Sequence, residues 1–181
     1  MDIYNNLNLK KKHKNSVIAI GNFDGIHLGH QKVIFQAKKK ARRSKLPFGI
    51  VTFEPMPVMF FNPKITNHRI NSINQKKEQL KKFKKDFIIL IKFKKIFSQI
   101  RAEKFIKNII SEKTGAKYIF VSKNFKFGRK RQGNINTLKK FEKEYNYKTI
   151  ITSPFRKTKK IISSTLIRKK ISSGKIYEVN K

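Results

Sequence analysis

The densest chemistry in this chain of 181 residues lies in one decapeptide, Gly21-Asn22-Phe23-Asp24-Gly25-Ile26-His27-Leu28-Gly29-His30. His27 and His30 are three apart at the start of what reads as a helix, so both imidazoles face one cavity. Gly21, Gly25 and Gly29 permit close backbone approach and positive φ, and the helix N-terminus adds unpaired N–H groups and a positive dipole. Together these groups suit an anion, and imidazole donors would stabilise charge developing on a nucleotide phosphate. Each piece alone has a blander reading: Asp24-Gly25 is a common hairpin turn, and H-x-x-H is two surface histidines or half a metal site. With no cysteine and 10 carboxylates in all, zinc is disfavoured. A glycine loop and H-x-G-H directly after a strand are more specific together than apart. A second set lies at Ser163, Ser164 and Thr165 followed by Arg168. Hydroxyls there either cap a helix or, with the guanidinium, hold phosphate.

These groups need a scaffold, and the apolar runs supply one. Residues 16–23 read as a buried first strand, followed by a helix over 29–44 and a strand over 46–54. Pro55, Pro57 and Pro63 make the next stretch a loop. A helix over 74–85, the most apolar strand over 86–93 and an amphipathic helix over 98–113, closed by Gly115, follow. Then come a strand over 117–122, a loop rich in Gly, Arg and Lys, a helix near 135–145, a strand near 148–153 and a final helix from Ser164. Strands alternating with helices, with near-continuous apolar strands, indicate the α/β class: a Rossmann-like parallel sheet with helices on both faces, in one domain. In such a sheet ligands bind beyond the carboxyl ends of the strands, where the glycine loop lies.

Forty-five Lys and Arg against 10 Asp and Glu give a net charge of +35. That invites a nucleic-acid reading. Yet 37 of the basic residues are Lys and 8 are Arg, and they run through every segment instead of forming a stripe. With so much Asn, Ile and Phe, the excess matches codons rich in A and T. Lys breaks every apolar run before the ~20 residues a membrane-spanning helix needs. With no cysteine to form disulfides, a cytoplasmic protein without membrane attachment is expected. Residues 1–15, with Lys10, Lys11, Lys12 and Lys14, read as a solvated basic leader.

The stretch GNFDGIHLGHQ resembles the nucleotide loop of bacterial FMN adenylyltransferases, the FAD-forming half of bifunctional riboflavin kinase/FAD synthetases within the HxGH nucleotidyltransferase superfamily. Further matches fall in the family's order. Val51 to Pro57 (VTFEPMP) is similar to its TFEPHP segment, Asn124 to Gly128 (NFKFG) with Gly133 to its flap, and Ile162 to Arg168 (ISSTLIR) to its SSTxIR motif. The resemblance covers about residues 16–175. It implies transfer of AMP from ATP to FMN with Mg²⁺, giving FAD and pyrophosphate. On that resemblance His27, His30 and Arg168 are the catalytic groups. ATP would contact Gly21, Asn22, Phe23, Asp24, Gly25, Gly29, Ser163, Ser164 and Thr165, with Asp24 a candidate Mg²⁺ ligand. FMN would contact Phe53, Pro57, Asn124, Phe125, Phe127 and Gly128, under a flap at about 123–134. Three positions depart from the pattern: Met56 stands where His is usual, and Ser122 and Lys123 replace a Gly and an acidic or polar residue. A further expectation is that residues 16–181 hold the adenylyl-transfer domain with no room for the kinase domain, of about 100 residues. The alternatives are another acceptor, nicotinamide mononucleotide or a pantetheine phosphate, or a decayed enzyme fold that binds nucleic acid. Incidental nucleic-acid binding through the charge is expected in any case.

Overall fold

Uninterrupted β-branched and aromatic runs become the strands of a single parallel sheet in a computed structural model that describes residues 2–65, 68–157 and 160–180. The strands are β1 (Asp2–Tyr4), β2 (Val17–Ile20), β3 (Phe48–Glu54), β4 (Phe87–Lys92), β5 (Tyr118–Ser122) and β6 (Lys148–Thr152). They lie in the order β1-β4-β3-β2-β5-β6 with every pair parallel. Successive side chains point to opposite faces. Val17 and Ala19 therefore join one core with Ile34, Ala37 and Ala41 of α1 (Leu28–Ser44) and Leu80 of α3 (Ile73–Lys81). Ile18 and Ile20 join the other core with Phe105, Ile106, Ile109 and Ile110. The α/β class with helices on both faces is as expected from the alternation.

Four expectations change. Residues 1–15 are not a solvated leader. β1 extends the sheet beside β4, pairing Ile3 with Ile88, and Tyr4, Leu9 and His13 are buried. His13 stacks on Phe87 with ring centroids 4.8 Å apart, and its Nδ1 lies 2.8 Å from the Tyr4 hydroxyl. The proline-rich segment contains a short helix, α2 (Pro57–Phe61), because proline at the first helical position has no N–H to lose. The helix over 98–113 is three pieces: α4 (Lys95–Ser98), α5 (Ala102–Lys104) and a π-helical stretch (Phe105–Lys113) that continues it to Gly115 at φ +57°. The helix near 135–145 is shorter, α6 (Ile135–Lys140). A two-stranded antiparallel pair, β7 (Arg156–Lys157) and β8 (Lys160–Ile161), leads into α7 (Ser164–Ser172) and α8 (Ile176–Asn180).

After β2 the chain builds β3 and β4 on one side of it and β5 and β6 on the other. The sheet's switch point is thus the crevice between the carboxyl ends of β2 and β5, the place where open parallel sheets bind ligands. The glycine loop leaves β2 there, and the segment after β5 faces it.

Candidate active site

The loop from β2 to α1 is held in an unusual backbone. Gly25 has φ +76°, as a glycine is expected to, but Phe23 at +47° and Ile26 at +36° are also left-handed. Such conformations cost about 1–3 kcal/mol each and persist only where surrounding contacts enforce them. Here the enforcing contacts are apolar burial of both side chains and two bonds, Thr52 Oγ1 donating to the Asn22 carbonyl (3.0 Å) and Gln31 Nε2 to that of Ile26 (3.0 Å). Gly29 needs its missing side chain for another reason. A Cβ there would lie 3.0 Å from the His27 ring and 3.2 Å from the Ile162 carbonyl oxygen.

That space lets His27 cap its own helix. Its Nδ1 accepts the His30 backbone N–H at 3.3 Å, so the proton of the neutral ring sits on Nε2. The two imidazoles stack with centroids 3.8 Å apart, and Phe23 meets the His30 ring edge-on. Burial pushes the His27 pKa down to about 4, with Asp24 opposing and the Arg168 charge adding to the fall. His30 is held well below the usual histidine value by burial, then by the neighbouring His27, Lys76 and Arg168. Both rings are therefore neutral near pH 7, each with a single N–H to donate.

Asp24 is buried beneath the loop and fully engaged. Its carboxylate accepts Arg168 Nη2 at 2.6 Å and the backbone N–H groups of Ile70 and Asn71 at 3.1 and 3.4 Å. This occupation fits a brace for the loop and does not fit the expected Mg²⁺ ligand. Among the described residues no three His, Asp or Glu converge closely enough to hold a metal. Arg168 is likewise committed, its Nε donating to the His68 carbonyl at 2.7 Å. Its expected place as a second phosphate clamp becomes first a clasp on the loop. Ser163 caps α7 by accepting the Leu166 N–H at 3.3 Å, and Ser164 donates to the Asp24 carbonyl at 3.0 Å, while Thr165 is exposed. Arg69 forms a two-pronged pair with Glu54 at the end of β3.

Beyond β5, the expected flap is tied at its base. Phe127 and Gly133 exchange backbone bonds of 3.0 and 2.9 Å, and a Cβ on Gly128 (φ +73°) would lie 2.8 Å from the Ala102 nitrogen. Phe53 and Phe127 are buried in one aromatic row through Phe97 and Phe105. Both are buried, so the open flavin-facing surfaces expected of them are not present. Phe125, half-buried and stacked on Phe127 at 5.5 Å, has a face to offer, and Asn124 is exposed beside it. Pro57 begins α2 next to buried Met56. Sequence reasoning missed Glu54, Arg69 and Lys76. Lys76 is 4% exposed, and nothing in its local sequence sets it apart from the other lysines.

Comparison with known proteins bears on this arrangement. A family model described as FAD synthetase matches residues 9–166. The bifunctional riboflavin kinase/FMN adenylyltransferase of Buchnera aphidicola subsp. Schizaphis graminum is 44% identical over 170 residues, covering 93% of this chain and 54% of the relative. The protein of the same description from Haemophilus influenzae is 34% identical, covering 86% of this chain and 51% of that one. The chain thus spans about half the length of the curated relatives it matches. A crystal structure described as a macrolide-efflux protein from Streptococcus pneumoniae superposes with a TM-score of 0.80 at 28% identity, over 93% of this chain and 55% of that one. A pantoate-beta-alanine ligase from Francisella tularensis, at 19% identity and TM-score 0.60 over 98% of this chain and 78% of its own, shares the fold.

Proposed function

The chain belongs to the FAD synthetase family, and from that premise we propose that it transfers AMP from ATP to FMN. An oxygen of the FMN phosphate attacks the α-phosphorus of ATP, the bond from that phosphorus to the bridging oxygen breaks, and pyrophosphate leaves with the electron pair. A phosphate monoester is already a nucleophile, so the site need supply no serine, cysteine or strong base. Its work is to align two polyanions and spread the charge of the leaving group. The observation that carries this reading is the stacked His27–His30 pair at the start of α1, with His27 Nδ1 occupied so that the ring proton is left on Nε2. Neutral donors bind triphosphate without themselves having to give up a proton.

In this proposal His27, His30 and the loop from Gly21 to Gly29 hold the ATP phosphates, together with Ser163, Ser164 and Thr165 at the start of α7. Arg168 fixes the loop through Asp24 and reaches phosphate with its remaining Nη1 donors. FMN lies across Phe125, against the wall of Phe53 and Phe127, edged by Asn124, Gly128 and Pro57. Mg²⁺ would arrive as part of its ATP complex, held by the phosphates, since among the described residues no three His, Asp or Glu form a cage for it. The reaction is placed in the cytoplasm, a reading supported by the absence of cysteine.

Purified protein incubated with ATP, Mg²⁺ and FMN is expected to release FAD and pyrophosphate in equal amounts. Parallel incubations with nicotinamide mononucleotide and a pantetheine phosphate should stay inert. Pyrophosphate release with either of those and none with FMN reassigns the acceptor, and silence with all three rejects the enzyme.

A further inference from the structure

Contacts from three separate elements converge on residues 68–71, the segment that leads into α3. The His68 carbonyl accepts Arg168 Nε of α7 at 2.7 Å. The Ile70 backbone N–H donates to both oxygens of Asp24, at 3.1 and 3.2 Å, and that of Asn71 to Oδ1 at 3.4 Å. The Ile70 side chain packs beside Gly25, where a Cβ would lie 3.0 Å from it. Between these groups stands Arg69, whose two terminal nitrogens engage the two carboxylate oxygens of Glu54, Nη1 reaching Oε2 at 2.9 Å. Glu54 is the last residue of β3, and its own carbonyl accepts the Phe93 N–H at 2.8 Å at the end of β4. The segment thus meets the glycine loop and α7 through its backbone, and the sheet through the Arg69 side chain.

We propose that Arg69 and Glu54 are positioning residues for the nucleotide loop: their two-pronged pair fixes residues 68–71 to the end of β3, and that segment holds Asp24 and Arg168 where the loop after β2 takes the ATP phosphates. This rests on the phosphate-holding role of that loop. A two-pronged guanidinium–carboxylate pair constrains the planes of both groups as well as their separation, so it sets an angle that a single ammonium contact would leave free. The pair is partly shielded, its side chains 29% and 21% exposed, so water competes with it less than at an open surface. Its influence reaches the site through backbone groups. With residues 68–71 displaced, Arg168 loses the His68 carbonyl and Asp24 loses two N–H donors, leaving their mutual contact of 2.6 Å without support on that side. Phe23 and Ile26, held at positive φ in the same loop, are then free to relax. Neither Arg69 nor Glu54 touches a reacting atom in this scheme. A misplacement of about 1 Å in a group that aligns substrate is enough to cost about a hundredfold in rate.

The test compares the wild-type protein with Arg69→Met, Glu54→Gln and the double variant, and with Arg43→Met, which removes the same charge from the exposed last turn of α1. Each is measured for FAD formation and, by NMR on ¹⁵N-arginine protein without nucleotide, for hydrogen exchange of the Arg168 Nε–H. Arg69→Met should speed that exchange at least about tenfold and lower kcat/KM for ATP by about ten- to a hundredfold, with KM for FMN within about twofold. The double variant should be no worse than Arg69→Met, because two residues that act as a unit fail together. Glu54→Gln and Arg69→Lys each keep part of the pair. Both should fall between wild type and Arg69→Met, and Arg69→Lys carries the test if the Met variant does not fold. Arg43→Met should match the wild type. Slow Arg168 Nε–H exchange in folded Arg69→Met, losses that add in the double variant, or an equal loss in Arg43→Met overturns the proposal. No FAD from the wild type would instead reject the adenylyl-transfer reading, and the exchange comparison would still decide whether the pair holds Arg168.

Discussion

The two site histidines differ in what they owe to the backbone, and this shapes how each variant should behave. His30→Ala removes one donor from a preorganised set and is expected to lower kcat at least about a hundredfold, measured as FAD formation at saturating substrates. His27 is also the cap of α1, so His27→Ala should lose stability as well as turnover. Its folded pKa of about 4 lies below the unfolded value near 6.5. The unfolded chain then binds more protons between those limits, and stability falls as pH drops from about 6.5 towards 4. Urea midpoints across that window should decline, and His27→Gln should flatten the decline. Lys76 reports on the opposite end of the scale. Its pKa, down from 10.5 to about 8, makes the buried ammonium costly at pH 7 by about 3 kcal/mol, and the cost fades as pH rises from 8 towards 10.5. Lys76→Met should therefore raise the urea midpoint at pH 7, by about 1–3 kcal/mol in stability.

At the level of elements, what could be read in advance depended on whether the signal was local. The strands β2 to β6 announce themselves as apolar runs, and β2's loop carries its own histidines. The N-terminal strand did not, because Lys10, Lys11 and Lys12 dominate a segment whose anchors, Tyr4, Leu9 and His13, are isolated apolar or aromatic residues. Likewise Asp24 looked like a free carboxylate, since its partners Ile70 and Arg168 lie 46 and 144 residues away. Glycines were legible as permissive positions, but only structure says which need it. Gly49 of β3 does: a Cβ there would sit 2.2 Å from the Phe87 ring that His13 stacks upon. Gly49→Ala should therefore cost about 1–3 kcal/mol in chemical denaturation. Gly128→Ala, strained at φ +73° and crowded by Ala102, should disturb the base of the flap and raise KM for FMN severalfold with a smaller change in kcat.

Across the whole molecule, the charge of +35 acts as a diffuse field. A field of this sign is expected to draw in anions from all sides, nucleic acid among them. Binding of a labelled DNA duplex is expected to fall steeply between 50 and 200 mM salt, as about tenfold or more per few neutralised phosphates, and to be equal for unrelated sequences. Sequence discrimination in that assay would contradict the field picture. The clasp between Asp24 and Arg168 has a different consequence, one of timing. It joins a loop made early in synthesis to a helix made late, 144 residues apart. The sheet can close without it, since strands β1 to β6 are complete by Thr152, before α7 begins. As the chain leaves the ribosome, the sheet is therefore expected to form before the loop after β2 is locked by Arg168. During refolding, recovery of turnover should lag the return of sheet signal. A nascent chain stalled before α7 is expected to be folded yet inert, with activity gained only once α7 fastens the loop after β2.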